Sequence, residues 1–345
     1  MKRFLMIGCG NWAGWWVRDF IPQTADVARC MAVVDVNREA AERAGQALGL
    51  PRSSCYTDAA QALRENDVDY AVVTASIPHH LQVYRQILET KPDCPILSEK
   101  PVAGTWEDCL EVQRLVRQAG VKCAFTFSHR YEQDKQTFAH LLQSGKYGKL
   151  NTLVGRLIVK KQQSGGRPPE AFLIDGGVHY IDMLRPFSGS EGKTMYAQAW
   201  DCPWPESGGH AVSAFVQAEM QSGVHATLEY LLGCAENRNS WCEEYFRAEC
   251  EKASIELDHR VITARWTDSA GALHTENVPL LPGEHWKHDR IIRDFIAWLD
   301  GGPAPDICLE ESMKAMAMLY GVVDSIHTGQ AVTVTERLAQ CGGQA

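Results

Sequence analysis

The sequence predicts two domains: an α/β domain built on a doubly wound parallel sheet, then an α+β domain with a large, open, mostly antiparallel sheet. Three observations carry that expectation. Lys2 to Gly14, KRFLMIGCGNWAG, is a short apolar run that breaks into closely spaced glycines. From there to Phe127, strand-period and helix-period segments alternate, the pattern of a parallel sheet covered on both faces. Beyond Ser128, long strand-like runs follow one another without intervening helices, which reads as antiparallel pairing. At 345 residues the chain exceeds one ordinary core, and a division into 1–127 and 128–345 follows.

In the first part, a strand delivers the backbone to a tight turn at Gly8. Glycine there supplies permissive dihedrals, Gly10 leaves room for a pyrophosphate, and the small Ala13 lets the next helix pack close to the sheet. A dinucleotide's phosphates would lie over Asn11, Trp12 and Ala13, at the helix N-terminus. A second apolar strand, Cys30 to Val34, ends in Asp35, at the separation where a carboxylate accepts from the adenosine ribose. Its charge disfavours a 2'-phosphate, so NAD is preferred, while Arg38 three residues later keeps NADP open. Arg38 to Leu48 is an alanine-rich amphipathic helix, and Asp58 caps another through Glu65. Tyr70 to Thr74 is a continuous buried strand, after which Ser76, Pro78 and His80 fall on the cofactor edge and Leu81 to Leu88 returns as helix. The strand Cys94 to Ser98 runs into Glu99-Lys100-Pro101, Thr105 caps a helix through Gln118, and Val121 to Phe127 closes the sheet.

The second part opens with a helix from Glu132 to Gln143. Strands are expected at Leu150 to Lys161, Tyr196 to Trp200, Ala211 to Met220, Val224 to Leu232, Tyr245 to Cys250, Ser254 to Leu257 and Val261 to Trp266. Helices at Trp286 to Leu299 and Leu309 to His327 follow, and the loop Gln162 to Glu170 has the glycine and proline content of a connection bordering a pocket. A formal charge of −9 and the absence of any basic block argue against nucleic acid and against anionic membrane surfaces. No stretch is long enough to span a bilayer or to act as an export signal. The twelve cysteines lie scattered in apolar segments and never form Cys-x-x-Cys, as expected of reduced thiols in a cytoplasmic protein without structural zinc.

Two groups of residues carry the chemistry. Lys100, just past a strand, emerges on the edge where the nicotinamide would lie; desolvation and that ring's positive charge lower a lysine's pKa and suit it to proton transfer. Read alone, without the rest of the pattern, a surface lysine is the favoured reading. The second group is Asp175-Gly-Gly-Val-His179-Tyr-Ile-Asp182. If Asp175 caps a helix that Pro186 ends, Asp175, His179 and Asp182 share one face, and an aspartate one turn before a histidine fixes its tautomer. The bland reading is a capping aspartate and a core histidine; a metal would need ligands from elsewhere, and none is expected. Arg156, Lys160 and Arg167 would suit an anionic substrate, or are solvated bases. His285 and His288 open an amphipathic helix and read as surface, and Trp15 and Trp16 as packing.

The glycine turn, Glu99-Lys100-Pro101, Asp175 to Asp182, Arg130-Tyr131 and Gly145-Lys146-Tyr147-Gly148 together resemble the glucose-fructose oxidoreductase and inositol dehydrogenase family, Gfo/Idh/MocA, over nearly the whole chain. The resemblance implies a Rossmann domain, a sheet domain used to form a homodimer or homotetramer, and NAD(P)-linked oxidation or reduction at a secondary hydroxyl or ketone of a sugar, cyclitol or related polyol. Carried over by position, it makes Lys100, Asp175 and His179 catalytic; Glu99 is also expected at the cofactor, and Arg130 and Arg156 beside the substrate. Either His179 or Lys100 is the formal base. The family's Pro-x-x-x-His is broken here, since Gln82 stands four after Pro78. The same family includes NAD-using glycosidases or lyases and members that bind a dinucleotide without turnover, which are the alternatives.

Overall fold

The computed structural model describes residues 1–160, 168, 170–204, 209–240 and 242–342. The loop 162 to 170, with Arg167, therefore lies outside the described residues apart from Pro168 and Glu170. Two compact units form: 1–128 with 285–316, and 129–284 with 317–345. A single cut at 127/128 misses the return of 285–316 to the first unit.

The first unit carries six parallel strands, β1 (Lys2–Ile7), β2 (Ala28–Val34), β3 (Cys55–Tyr56), β4 (Tyr70–Val73), β5 (Ile96–Ser98) and β6 (Cys123–Phe125), in the order β3-β2-β1-β4-β5-β6. This is the doubly wound Rossmann order. β4 is buried along its whole length, as a strand covered on both faces must be. Local signals start and stop the helices: Asn37 accepts from the amides of Glu39 and Ala40, Thr105 from Asp108, and Gly120 ends its helix in the left-handed conformation at φ 66°. The helix Lys287–Leu299 turns Ile291, Ile292 and Phe295 inward, and the Phe295 ring meets Tyr70 edge-on at 5.4 Å. That amphipathic face explains why a segment so late in the chain belongs here.

In the second unit nine strands form one sheet: β7 (Leu150–Ile158), β8 (Gly192–Trp204), β9 (Gly209–Met220), β10 (His225–Leu231), β11 (Tyr245–Cys250), β12 (Ser254–Asp258), β13 (Val261–Thr267), β14 (Leu273–Val278) and β15 (Val332–Thr333). Their order is β14-β13-β12-β11-β7-β10-β9-β8-β15, antiparallel except for the β7–β10 pair. The strand reading holds with shifted ends; β3, β14 and β15 are additions, two of them only two residues long. One face is covered. Gly155 sits where a Cβ would press within 2.9 Å of both Leu228 and Phe246, and Phe246 in turn meets Phe187 at 5.0 Å and Tyr180 at 6.1 Å. The helices Gln133–Gln143 and Val178–Ser188 meet above it through Phe138 and Phe187. On the same sheet Trp200 and Phe215 stay exposed, rings 5.0 Å apart.

All twelve cysteines are free thiols, and no helix among the described residues is long and apolar enough to cross a membrane. Phe246 joins sheet to helices, so Phe246→Ala should cost about 3–5 kcal/mol of stability. Urea denaturation checks this, and a loss below about 1 kcal/mol would show that the seam is not core.

Candidate functional site

Because β1, β2, β4 and β5 run parallel, the residues that follow them emerge on one edge of the sheet. Gly8, after β1, has φ +101°, and a Cβ there would stand 2.4 Å from the Ala75 amide nitrogen, so only glycine fits. Thr74 Oγ1 donates to the Gly8 carbonyl at 2.6 Å, closing the turn against the end of β4. A Cβ on Gly10 would meet nothing within 4 Å, which leaves open space beside the first helical turn. Ala13, buried, begins a helical run over 13–23 whose middle turn is a π turn, while Asn11 and Trp12 stay exposed.

Asp35, directly after β2, is held from both sides: Oδ2 accepts from the Cys9 amide at 2.7 Å and Oδ1 from the Asn37 amide at 2.8 Å. Arg38 donates to the Cys55 carbonyl and lies 3.6 Å from Glu42. These features fit a dinucleotide, with space at Gly10 and a fixed carboxylate at the end of β2, where the sequence expects the ribose. Burial, with the Asp35 charge, pushes the Cys9 thiol up to about 12, so it is no nucleophile.

After β4, Ser76, Pro78 and His79 are exposed, with Ser76 Oγ 2.9 Å from His79 Nδ1. His80 is not exposed at all. Its Nδ1 and Nε2 lie 3.0 Å from the carbonyls of Pro101 and Ala75, so the ring ties the β4 turn to the Lys100-Pro101 loop instead of facing a cofactor. Burial lowers its pKa against the pull of those carbonyls.

Lys100 follows β5, half-buried, before a cis bond to Pro101. Glu99 beside it turns inward, accepting from Trp16 Nε1 and Thr126 Oγ1 at 2.7 Å each, with His288 Nε2 at 3.7 Å. Both oxygens expected at the cofactor are thus used inside the unit. Burial alone would raise the Glu99 carboxyl, but His288 and Lys100 outweigh it and hold it at about 2. His288 is therefore not surface, as its sequence position suggested: it is buried, stacked on Phe20 at 3.8 Å and 4°. The spacing 288, 291, 292, 295 carried that signal. Trp16 is packing as read, whereas Trp15 is exposed beneath Arg18.

In the second unit, Asp175 does not cap a helix and Pro186 does not end one. A helical run starts at Glu170, passes through a π turn, Leu173–Gly177, and continues to Ser188, with Pro186 inside it and Gly189 closing it at φ 65°. Asp175 is exposed and His179 is buried. Asp182 leaves this pair. Arg130 grips it with two bonds of 2.6 and 2.7 Å, and Arg185 lies 3.5 Å away while holding Glu191. Arg130, expected at the substrate, spends that fork on Asp182.

Arg156 is a correction. Along β7 it alternates with Leu153, Gly155 and Leu157, which face the helices, so it lies on the opposite face from His179, paired with Glu229 at 3.0 Å over Tyr245. Lys160 is exposed at the end of that strand. Sequence reasoning missed His129 and Glu244. The His129 ring lies against His179 with centroids 4.3 Å apart, and Glu244 accepts from it at 3.0 Å.

The sequence model of the Gfo/Idh/MocA oxidoreductase family, described as having an NAD-binding Rossmann fold, matches residues 2–127. The uncharacterized protein y4oX of Sinorhizobium fredii is 31% identical over 97% of this chain and 96% of its own. D-apiose dehydrogenase of Paraburkholderia graminis is 23% identical over 96% of this chain and 90% of its own. Among solved structures, an oxidoreductase from Agrobacterium radiobacter in complex with NAD+, L-tartaric acid and magnesium shares the fold, with a TM-score of 0.80 over 97% of this chain and 99% of that one at 18% identity.

Glu99 makes a pH test. A carboxyl depressed in the folded state contributes stability above its unfolded pKa and loses it as pH falls through the folded one. The stability gap between the protein and Glu99→Gln should thus be full at neutral pH and shrink from pH 4.5 toward 2. Thermal midpoints across that range check this, and a gap independent of pH would contradict it.

Proposed function

This chain belongs to the Gfo/Idh/MocA family, an oxidoreductase family with an NAD-binding Rossmann fold, and from that premise we propose that it moves a hydride between nicotinamide and a secondary hydroxyl or ketone of a sugar, cyclitol or related polyol. It is an NAD(P)-dependent oxidoreductase acting on CH–OH groups. The observation that carries the finer reading is the shared sheet edge: the Gly8 turn after β1, Asp35 after β2 and Lys100 after β5. In parallel α/β sheets ligands bind at that edge.

The nicotinamide, when bound, supplies hydride acceptance or donation. The chain supplies the rest. Lys100, its backbone fixed by buried Glu99, is the group we assign to stabilise charge developing on the substrate oxygen. His179 is assigned to take the hydroxyl proton, with Asp175 in the preceding turn as its charged companion. The D-apiose dehydrogenase relative supports a carbohydrate substrate.

Absorbance at the NADH band, with NAD and a panel of sugars, cyclitols and sugar acids, tests this reading. Lys100→Met and His179→Ala should each lower kcat by about a hundredfold or more while NADH still binds. Turnover without net NADH formation would instead mark the glycosidase or lyase alternative, and cofactor binding with no turnover of any kind the regulatory one.

The anchored Asp35 supports NAD over NADP, since its charge is fixed by two amides and Arg38 is turned toward Cys55 and Glu42. Asp35→Ala should weaken NADH binding by about 1.5–3 kcal/mol and leave NADPH binding unchanged or improved. Fluorescence titration with both cofactors reads this, and an equal loss for both would contradict it.

A further inference from the structure

A cluster of buried charges lies behind His179 in the second unit, and the reaction proposed above leaves it without a role. Glu244, just before β11, is its hub. Its Oε1 accepts from His129 Nε2 at 3.0 Å, from Tyr180 Oη at 2.8 Å and from the Cys242 amide at 2.8 Å, while Oε2 lies 2.8 Å from Lys135 Nζ. Lys135 is fully buried, bonded also to Glu132 and 3.6 Å from Asp134. Burial works against each of these charges. His129 and Lys135 beside it nevertheless hold the Glu244 carboxyl well below the ordinary range, and the three carboxylates hold Lys135 above its own.

His129, Glu132 and Glu244 place ligand-type atoms within 4.8 Å of one another, as a metal site would, but the Lys135 ammonium already serves as the cation among them. Buried ion networks contribute little net stability compared with apolar packing, so geometry is the better account of this one. The geometry converges on His179. The ring of His129 lies on that of His179, with centroids 4.3 Å apart and planes 21° apart, and Tyr180, next in the chain, bonds the same Glu244 oxygen. One carboxylate therefore fixes both the ring lying on His179 and the residue beside it.

We propose that His129 and Glu244 are positioning residues for His179, setting the plane in which its imidazole meets the substrate hydroxyl. This rests on His179 being the group that takes the hydroxyl proton. Proton transfer needs hydrogen-bond distance and alignment, and a displacement of about 1 Å at such a group costs on the order of a hundredfold in rate. His129 supplies a flat surface, and Glu244 fixes its tilt through Nε2.

The test compares His129→Leu, which keeps bulk without a plane, with His129→Phe, which keeps a plane. His129→Leu should lower kcat about tenfold to a hundredfold, with KM and NADH affinity nearly unchanged, and His129→Phe, which restores the plane but not the bond to Glu244, should recover part of that loss. Equal kcat in the two variants, or a rise in KM alone, overturns the proposal. Should His129→Leu fail to fold, Tyr180→Phe removes only the hydroxyl that Glu244 accepts from. It should lower kcat severalfold at unchanged KM, and an unaltered kcat overturns the proposal equally.

A second readout needs no turnover. In protein carrying 15N-labelled histidine, the ring signals of His179, identified by their loss in His179→Asn, should move in both His129→Leu and Tyr180→Phe; signals that stay put overturn the proposal. If instead His179→Ala keeps full activity, the proton-transfer assignment has failed, while the ring signals still report whether His129 and Glu244 set that imidazole.

Discussion

The first unit depends on how β1 meets β4. Gly8 is the point where the chain leaves β1, and it does so with its Cα against the backbone of Thr74 and Ala75, closer than any side chain allows. The contact is locked from the other side by Thr74 Oγ1 on the Gly8 carbonyl. Cys9 follows at once, and its amide holds the Asp35 carboxylate at the end of β2. A single steric requirement at one glycine thus places the turn, the Asp35 carboxylate and the end of β4 on a common edge. His80 extends the same frame to the Lys100-Pro101 loop by spanning the Ala75 and Pro101 carbonyls.

Each unit uses one buried carboxylate beside a residue assigned to the chemistry. Glu99 adjoins Lys100 and is satisfied by an indole and a hydroxyl; Glu244 holds Tyr180 and the ring against His179. A buried carboxylate with all its donors in place tolerates little movement, because losing a donor leaves a charge unsatisfied at a cost of about 1–3 kcal/mol or more. The neighbouring backbone inherits that rigidity. Lys100 itself gains a fixed starting point from a residue that never faces solvent.

Periodicity and turn chemistry made the two sheets, the parallel edge and the glycine turn legible before any coordinates. They work because they are local: alternation of side chains along a strand and the φ demanded at Gly8 are properties of a few adjacent residues. What escaped was long-range. His129 and Glu244 stand 115 positions apart, and nothing in either neighbourhood announces a hydrogen bond between them. Charged side chains are seldom fully buried, so nothing in the helix from Glu132 to Gln143 announces that Glu132 and Lys135 are, yet here they are. His288 erred the same way, although its inward periodicity was present. Arg156 was misplaced for a different reason: the face of β7 follows from alternation only once the covered face is known.

The run from Asp175 to Asp182 shows how one helical irregularity decides among readings that spacing leaves equal. In a regular helix, residues four and seven apart share a face, which would align Asp175, His179 and Asp182. A π turn takes more residues to close than an α turn. With Leu173–Gly177 in that form, the regular spacing no longer carries Asp175 onto the buried side, and it is exposed while His179 is buried. Asp182, beyond the irregularity, keeps the inward direction and is claimed by Arg130 and Arg185. The three residues therefore divide into a solvent-facing acid, a buried imidazole held by its own shelf, and a structural ion pair.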